Sequence, residues 1–341
     1  MKTVARTGTR PVLLGGIAII AALAVIGFQG YAAAGLAASI AAAGLLAIAL
    51  DLAWGYTGIL SLGHGLFFGI AAYVTALASK AGIDSFLLLV VIAIGSGAAL
   101  ALIIGLLMFI GRTELPIIYV AMATLALAFV AEQVARSWNF VGADTGIAGL
   151  LPPDLFGLDT LDPYIYLGIC LGVLLCVFVL ALFLVRSDWG LVLTGIRENE
   201  QRMKFSGFRT AKAKVQVFVI SGGIAGLGGF LYTFNLGVAS PTILGVNQST
   251  LAVVWVLAGG VGTLVGALVG TVVISYLSEQ LSLASHGWWE IALGTILIAI
   301  LIVFPKGIVG MFRLARRYLA RVIRPSGTAG TTVDVPRRDA R

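Results

Sequence analysis

RSDWGLVLTGIRENEQRMKFSGFRTAKAK, residues 186–214, carries seven of the 22 Lys and Arg residues of this chain. It is bracketed by YIYLGICLGVLLCVFVLALFLV at 164–185 and VQVFVISGGIAGLGGFLYTF at 215–234, two runs without a single charge. Runs of that length span a bilayer, so the basic stretch between them sits at a membrane surface, and the positive-inside bias assigns that surface to the cytoplasm. The stretch also has helix punctuation. Asp188 can cap a short helix, Glu198 and Glu200 can open a second, and Gly207 can close it, with Ile196, Met203 and Phe208 as apolar contacts. Such order implies a surface on which something docks.

The rest of the composition agrees. Of 341 residues, 60% are hydrophobic and only 11% charged, where a soluble domain carries about 25%. The chain is expected to be an all-α polytopic membrane protein. The formal charge of +7 is not a nucleic-acid signal, because the cations are spread along one membrane face. Cys170 and Cys176 lie in one apolar span, have no zinc-ligand spacing, and read as small hydrophobes without a disulfide. No metal site is expected.

Lys2, Arg6 and Arg10 precede an apolar run at 11–28. That run exceeds the roughly 7–15 residues of a signal-peptide core, so it reads as a retained first helix. Further spans fall at 32–53, 58–79, 85–110, 115–138, 163–185 and 214–235. The stretch 246–282 is too long for one crossing, and Gly259-Gly260-Val261-Gly262 breaks it into a hairpin of 247–259 and 263–282. A last span at 288–304 brings the total to about ten transmembrane helices with both termini inside. On that topology 20 of the 22 cations face the cytoplasm; only Lys80 and Arg136 lie towards the outer side. The polar stretch 139–162 is then an external loop. Residues 1–310 form the transmembrane domain, and 311–341 a basic cytoplasmic tail, partly disordered.

The 44 glycines recur at four-residue spacing: Gly168 and Gly172, Gly222 and Gly226, and Gly262, Gly266 and Gly270. Small residues so spaced let helices approach closely in lipid. A second glycine-rich stretch, WGYTGILSLGHGLFFGIAAY at 54–73, thins a helix that also holds Ser61 and His64. Interrupted helices occur at membrane depth only where protein or a water-filled path covers the backbone.

The chain resembles the inner-membrane permease subunits of branched-chain amino acid ABC importers and of the closely related urea importers. The resemblance rests on GILSLGHG at 58–65, IRENE at 196–200, Gly207, FVISGGIAGLGG at 218–229, LAGGVGTLVGALVG at 257–270 and FPKG at 304–307, and covers about 45–310. The long N-terminal helix is similar to that of the M-type partner in a two-permease pair. The fold this implies is that of type II ABC importer permeases. The partners it implies are a second homologous permease, two ATPase subunits, an extracytoplasmic solute-binding protein and the lipid bilayer, in a bacterial inner membrane. It further implies that 186–214 holds the element seated in the ATPase, with Arg197, Glu198, Asn199, Glu200, Met203, Lys204 and Gly207 carrying the coupling. WGYTGILSLGHG-x-FF at 54–68, RMKFSGF at 202–208 and Trp255-Val256 look closer to the urea-type member. Urea and branched-chain amino acids both stay open as substrates.

Ser61, His64 and Glu132 are the candidate pathway residues. His64 either packs against a neighbouring hydrogen-bond partner or meets the solute. Glu132, four residues before Arg136, either forms an intrahelical ion pair or contacts substrate. Asp51 lies near the inner end of its span, where its side chain can snorkel to water. The chain has no Gly-Lys-Ser or Gly-Lys-Thr, so it binds no nucleotide through a P-loop, and ATP is left to partner subunits. It reads as a transporter subunit without catalytic residues or a bound cofactor. A secondary transporter or channel is the alternative, but the few intramembrane charges make a poor ion relay. An intramembrane protease using Ser61 lacks an opposed histidine at matching depth.

Overall fold

The computed structural model describes residues 9–110, 117–155 and 157–284, with short pieces at 294–295, 298, 302 and 307–310. Helices make up nearly all of it: α1 (Thr9–Gly27), α2 (Tyr31–Leu50), α3 (His64–Lys80), α4 (Phe86–Phe109), α5 (Ile117–Ser137), α6 (Pro163–Arg186), α7 (Asp188–Phe205), α8 (Thr210–Leu236), α9 (Val246–Gly259) and α10 (Leu264–Ala284). Among the described residues six helices have the length and apolar composition to cross a membrane, while Pro11–Gly27 and Val246–Gly259 are shorter apolar helices. Arg112, His286, Glu290 and the tail at 311–341 lie outside the described residues, as does most of the span expected at 288–304.

Two helices form the axis of the bundle. α2 is built of alanine with a few leucines and isoleucines, and 14 of its 20 residues are buried. Its small side chains let α1, α6, α8, α9 and α10 all pack against it. α8 is the second axis and lies between α2, α3 and α4. Its glycines make that possible. A Cβ at Gly222 would strike Ala101 and the Gly97 carbonyl of α4, and one at Gly226 would strike the Ala93 carbonyl. α9 and α10 close on each other in the same way, with Gly266 against the Gly259 carbonyl and Gly270 against that of Trp255. Spacing alone is not sufficient, however. Gly168 and Gly172 of α6 face open space among the described residues.

The stretch 139–162 is more ordered than a solvated connector. Ile147–Ala148 pairs antiparallel with Val238–Ala239, and Lys80 Nζ donates to the Gly149 carbonyl at 3.0 Å. Asp162 caps α6 through Tyr164 N–H at 2.9 Å, with Pro163 in the first turn. Asp154 and Asp159 accept from Gly157 and Leu161 N–H. Arg136 joins Asp144 at 3.1 Å, so all four aspartates of this stretch fix local structure. Both cysteines are free thiols.

Candidate functional site

The helix expected at 58–79 begins only at His64. Before it, α2 ends in a π-helical turn, Asp51–Gly55, and residues 58–61 have no regular secondary structure. π-Turns at a helix end commonly mark function. The interruption is tolerated because other helices satisfy its backbone. Leu62 N–H donates to Thr124 Oγ1 of α5 at 3.1 Å, and Gly65 N–H to Ser249 Oγ of α9 at 2.9 Å. A side chain at Gly63 would collide with the Thr124 carbonyl, so this glycine is needed for the close approach.

Asp51 does not snorkel to water. It is fully buried, and its Oδ1 accepts from Gly262 N–H at 2.6 Å, tying the end of α2 to the α9–α10 turn. Gly262 has φ +78°, a left-handed conformation that excludes a Cβ without strain. Into the same node reaches Arg197 of α7, whose Nη1 donates to the Gly55 carbonyl. Gly307 closes the other side, because a Cβ there would overlap Gly260. Four sequence-distant motifs therefore meet: the 54–65 run, IRENE, the 257–270 glycine run, and the glycine of FPKG.

α7 carries Arg197 in a defined way. Ser187, rather than Asp188, is its N-cap, accepting from Gly190 N–H at 3.4 Å. At Asn199 the backbone leaves helical geometry (φ −160°, ψ 96°), and the Asn199 side chain caps a second short helix through Arg202 N–H at 2.9 Å. That helix ends at Gly207, φ +86°, with Gly207 N–H bonded to Lys204 O at 2.9 Å and Phe208 N–H to Met203 O at 3.1 Å, a Schellman closure. Met203 folds back against Gly195. Glu200 is held by Lys204 at 3.4 Å and by Lys214 of α8 at 2.5 Å. Burial alone would raise the Glu200 carboxyl; the Lys214 hydrogen bond and the two ammonium charges outweigh it, leaving the pKa below the usual value. Glu198 lies on the exposed side. So does Phe205, 92% exposed, an apolar group that periodicity had no reason to single out.

The candidate pathway residues sit elsewhere. Ser61 is fully buried, and its Oγ accepts from Gly63 N–H at 3.4 Å. His64 is fully buried too. Ser221 donates its O–H to the Ala49 carbonyl at 2.6 Å, so its Oγ accepts from His64 Nε2 at 2.6 Å. His64 thus carries its proton on Nε2, and Nδ1 has no partner among the described residues. Phe67 and Phe218 meet the ring edge to face. The histidine is a packing residue that joins α3 to α8. Glu132 is paired with Arg136 at 2.7 Å and lies against Gly245. None of the three lines the cavity between α2, α8, α9 and α10.

A buried helical axis, an interrupted helix and a glycine hairpin gripped by a helix from the basic stretch define a polytopic membrane protein. Residues 32–304 match the family described as "Branched-chain amino acid transport system / permease component", and the chain belongs to that family. It is 26% identical over 295 residues to the high-affinity branched-chain amino acid transport system permease protein LivM of Salmonella typhimurium, covering 79% of this chain and 68% of that one. LivH of Escherichia coli K12 is 26% identical over 289 residues (78% and 90%). The ribose import permease protein RbsC of the same strain is 27% identical over 236 residues (66% and 71%). No solved structure gives a significant match.

Proposed function

We propose that this chain is one of two permease subunits of an ABC importer for branched-chain amino acids, driven by ATP hydrolysed in two partner ATPase subunits and supplied by an extracytoplasmic binding protein. On this reading it spans the bacterial inner membrane about ten times, with both termini and residues 186–214 in the cytoplasm. The chain itself holds no cofactor. The names of LivM and LivH favour amino acids over urea.

The observation that carries the coupling is the bond from Arg197 to the Gly55 carbonyl. An external ATPase can bias the membrane helices only through groups whose contacts differ between its states. Phe205 presents apolar surface outward, Glu200 staples α7 to α8, and Arg197 passes displacement of α7 to the π-turn of α2 and, through Asp51, to the α9–α10 turn.

The test is leucine uptake by proteoliposomes holding the complete complex. Wild type takes up leucine only with ATP and both ATPases present. Arg197→Gln assembles and hydrolyses ATP, but its uptake per ATP falls by about tenfold or more, as expected when a charge-assisted hydrogen bond is lost. Leucine flux without the ATPases points to a channel, and unchanged coupling in Arg197→Gln removes the transmission route.

A further inference from the structure

Five cations of this chain serve the fold. Lys80 donates to the Gly149 carbonyl, Arg136 pairs with Glu132 and Asp144, Arg197 donates to the Gly55 carbonyl, and Lys204 and Lys214 hold Glu200. Arg209 and Lys212 do not. Both are exposed, and neither side chain forms an ion pair or hydrogen bond with a described residue. They stand at the start of α8, a helix long and apolar enough to cross a membrane. Lys214, two residues beyond Lys212, is turned about 200° around the helix, so the pair with Glu200 occupies the other side.

The face that carries these two cations continues into the span. Gln216, Ile220 and Gly223 follow Lys212 at intervals of four, four and three residues, so all share one side of α8 with Arg209. Gln216 is exposed, and its amide has no partner among the described residues. Ile220 is 37% exposed. α4 forms the flank. A Cβ at Gly223 would meet Ile94 Cγ2 at 3.3 Å and Ala98 Cβ at 3.6 Å, and Ile94, Leu102 and Leu106, at four- and eight-residue spacing on α4, are exposed as well. Polarity therefore falls in a fixed order along this face. Two cations come first, an amide lies one turn deeper (about 6 Å), and aliphatic surface beside a glycine follows.

We infer that this α4–α8 face binds an anionic phospholipid of the leaflet next to the basic stretch. A phospholipid presents phosphate, ester and acyl chain in the same order. Its phosphate accepts from Arg209 and Lys212, an ester carbonyl accepts from the Gln216 amide, and a chain lies along Ile220 against the exposed row of α4. Charge complementarity selects the occupant, because the face presents two free cations and no carboxylate. A zwitterionic phospholipid gains less, since its own amine competes for the phosphate. A protein docked at the membrane surface could meet the cations, but Ile220 lies about 12 Å deeper than Lys212 along the helix axis, at acyl-chain depth. The inference concerns a lipid partner and holds for any transported solute.

The experiment titrates the full-length chain in detergent with phosphatidylglycerol or phosphatidylethanolamine and counts retained lipid by native mass spectrometry. Wild type should hold phosphatidylglycerol more tightly. Arg209→Gln and Lys212→Gln should each weaken it by about fivefold, and the double variant by about 25-fold, with phosphatidylethanolamine unchanged. Arg202→Gln, which removes an exposed cation from α7 instead, should retain phosphatidylglycerol like wild type. Glycerol phosphate, the headgroup without chains, should not compete. Thermal unfolding in lipid-free detergent should be the same for all variants, which separates lost binding from lost folding. Equal retention of the two lipids by wild type overturns the site, and so does an equal loss in Arg202→Gln and Arg209→Gln. Displacement by glycerol phosphate reduces it to a phosphate contact and overturns the lipid. If the double variant keeps phosphatidylglycerol but loses co-purifying ATPase, the face belongs to a protein partner and the inference fails.

Discussion

Arg197, on a helix of the basic stretch, donates a hydrogen bond to the carbonyl oxygen of Gly55, in the π-turn that ends a buried transmembrane helix. The two residues are 142 positions apart in sequence. Their contact places the basic stretch inside the bundle's own architecture rather than beside it. Asp51, in the same turn, extends the connection to Gly262.

Asp51 is the structural key to that node. Asp51→Ala leaves the Gly262 N–H and one end of the π-turn without an acceptor, at a cost of about 1–3 kcal/mol. Thermal unfolding of the purified protein in detergent should show the loss, and Asp51→Asn, which keeps an acceptor oxygen, should recover part of it. Equal stability of Asp51→Ala and wild type would mean that the 2.6 Å bond does not hold the node.

His64 should behave as a core residue. His64→Ala removes the bond to Ser221 and two aromatic edge contacts, so the expected outcome is lower yield and thermal stability with an unchanged leucine KM. Ser221→Ala should move stability in the same direction by about 0.5–1.5 kcal/mol. A selective rise in KM in a normally stable His64→Ala protein would place the ring on the solute path instead.

Glu200 makes the α7–α8 junction pH-dependent. Its folded pKa is depressed, so it stabilises the junction above the unfolded carboxyl value of about 4.3. That contribution fades as the pH falls through the lower, folded value. Protection of the amides at 200–214 against hydrogen exchange, relative to the unstructured rate at each pH, should be high at neutral pH and fall below about pH 4.3. Glu200→Gln should show lower protection at neutral pH and lose the acid step. An unchanged acid step in Glu200→Gln would assign it to another group.

Phe205 is the most exposed large apolar group of the basic stretch. Phe205→Asp should leave the permease as stable as wild type, because the side chain packs on little of its own fold. It should reduce the ATPase that co-purifies by about tenfold or more, the scale of an interface hot spot. Normal ATPase content in that variant would locate the docking surface elsewhere on α7.

Orientation is testable in intact cells. A cysteine replacing exposed Asp154 should react with an impermeant maleimide, and one replacing exposed Gln201 should react only after the membrane is opened. The reverse pattern would invert the topology and remove the cytoplasmic docking argument.

The sequence by itself determined the helical membrane character, the positions of the spans around the basic stretch, and the Gly207 end of the helix within it. These follow from local hydropathy, charge and backbone preference, each expressed within one helix or turn. It also marked the glycine motifs that mattered, though not their use: Gly222 and Gly226 seat α8 on α4, while the identically spaced Gly168 and Gly172 face open space. The tertiary structure decided the rest. His64 and Ser61, conspicuous in sequence, proved to be buried in the core, where His64 Nε2 bonds to Ser221 and Ser61 Oγ accepts from Gly63 N–H. Whether a polar group is paired or orphaned depends on which distant helix faces it, and spacing along one chain segment does not encode that. The convergence of Asp51, Gly55, Arg197 and Gly262 is of the same kind, a property of packing between helices far apart in the chain.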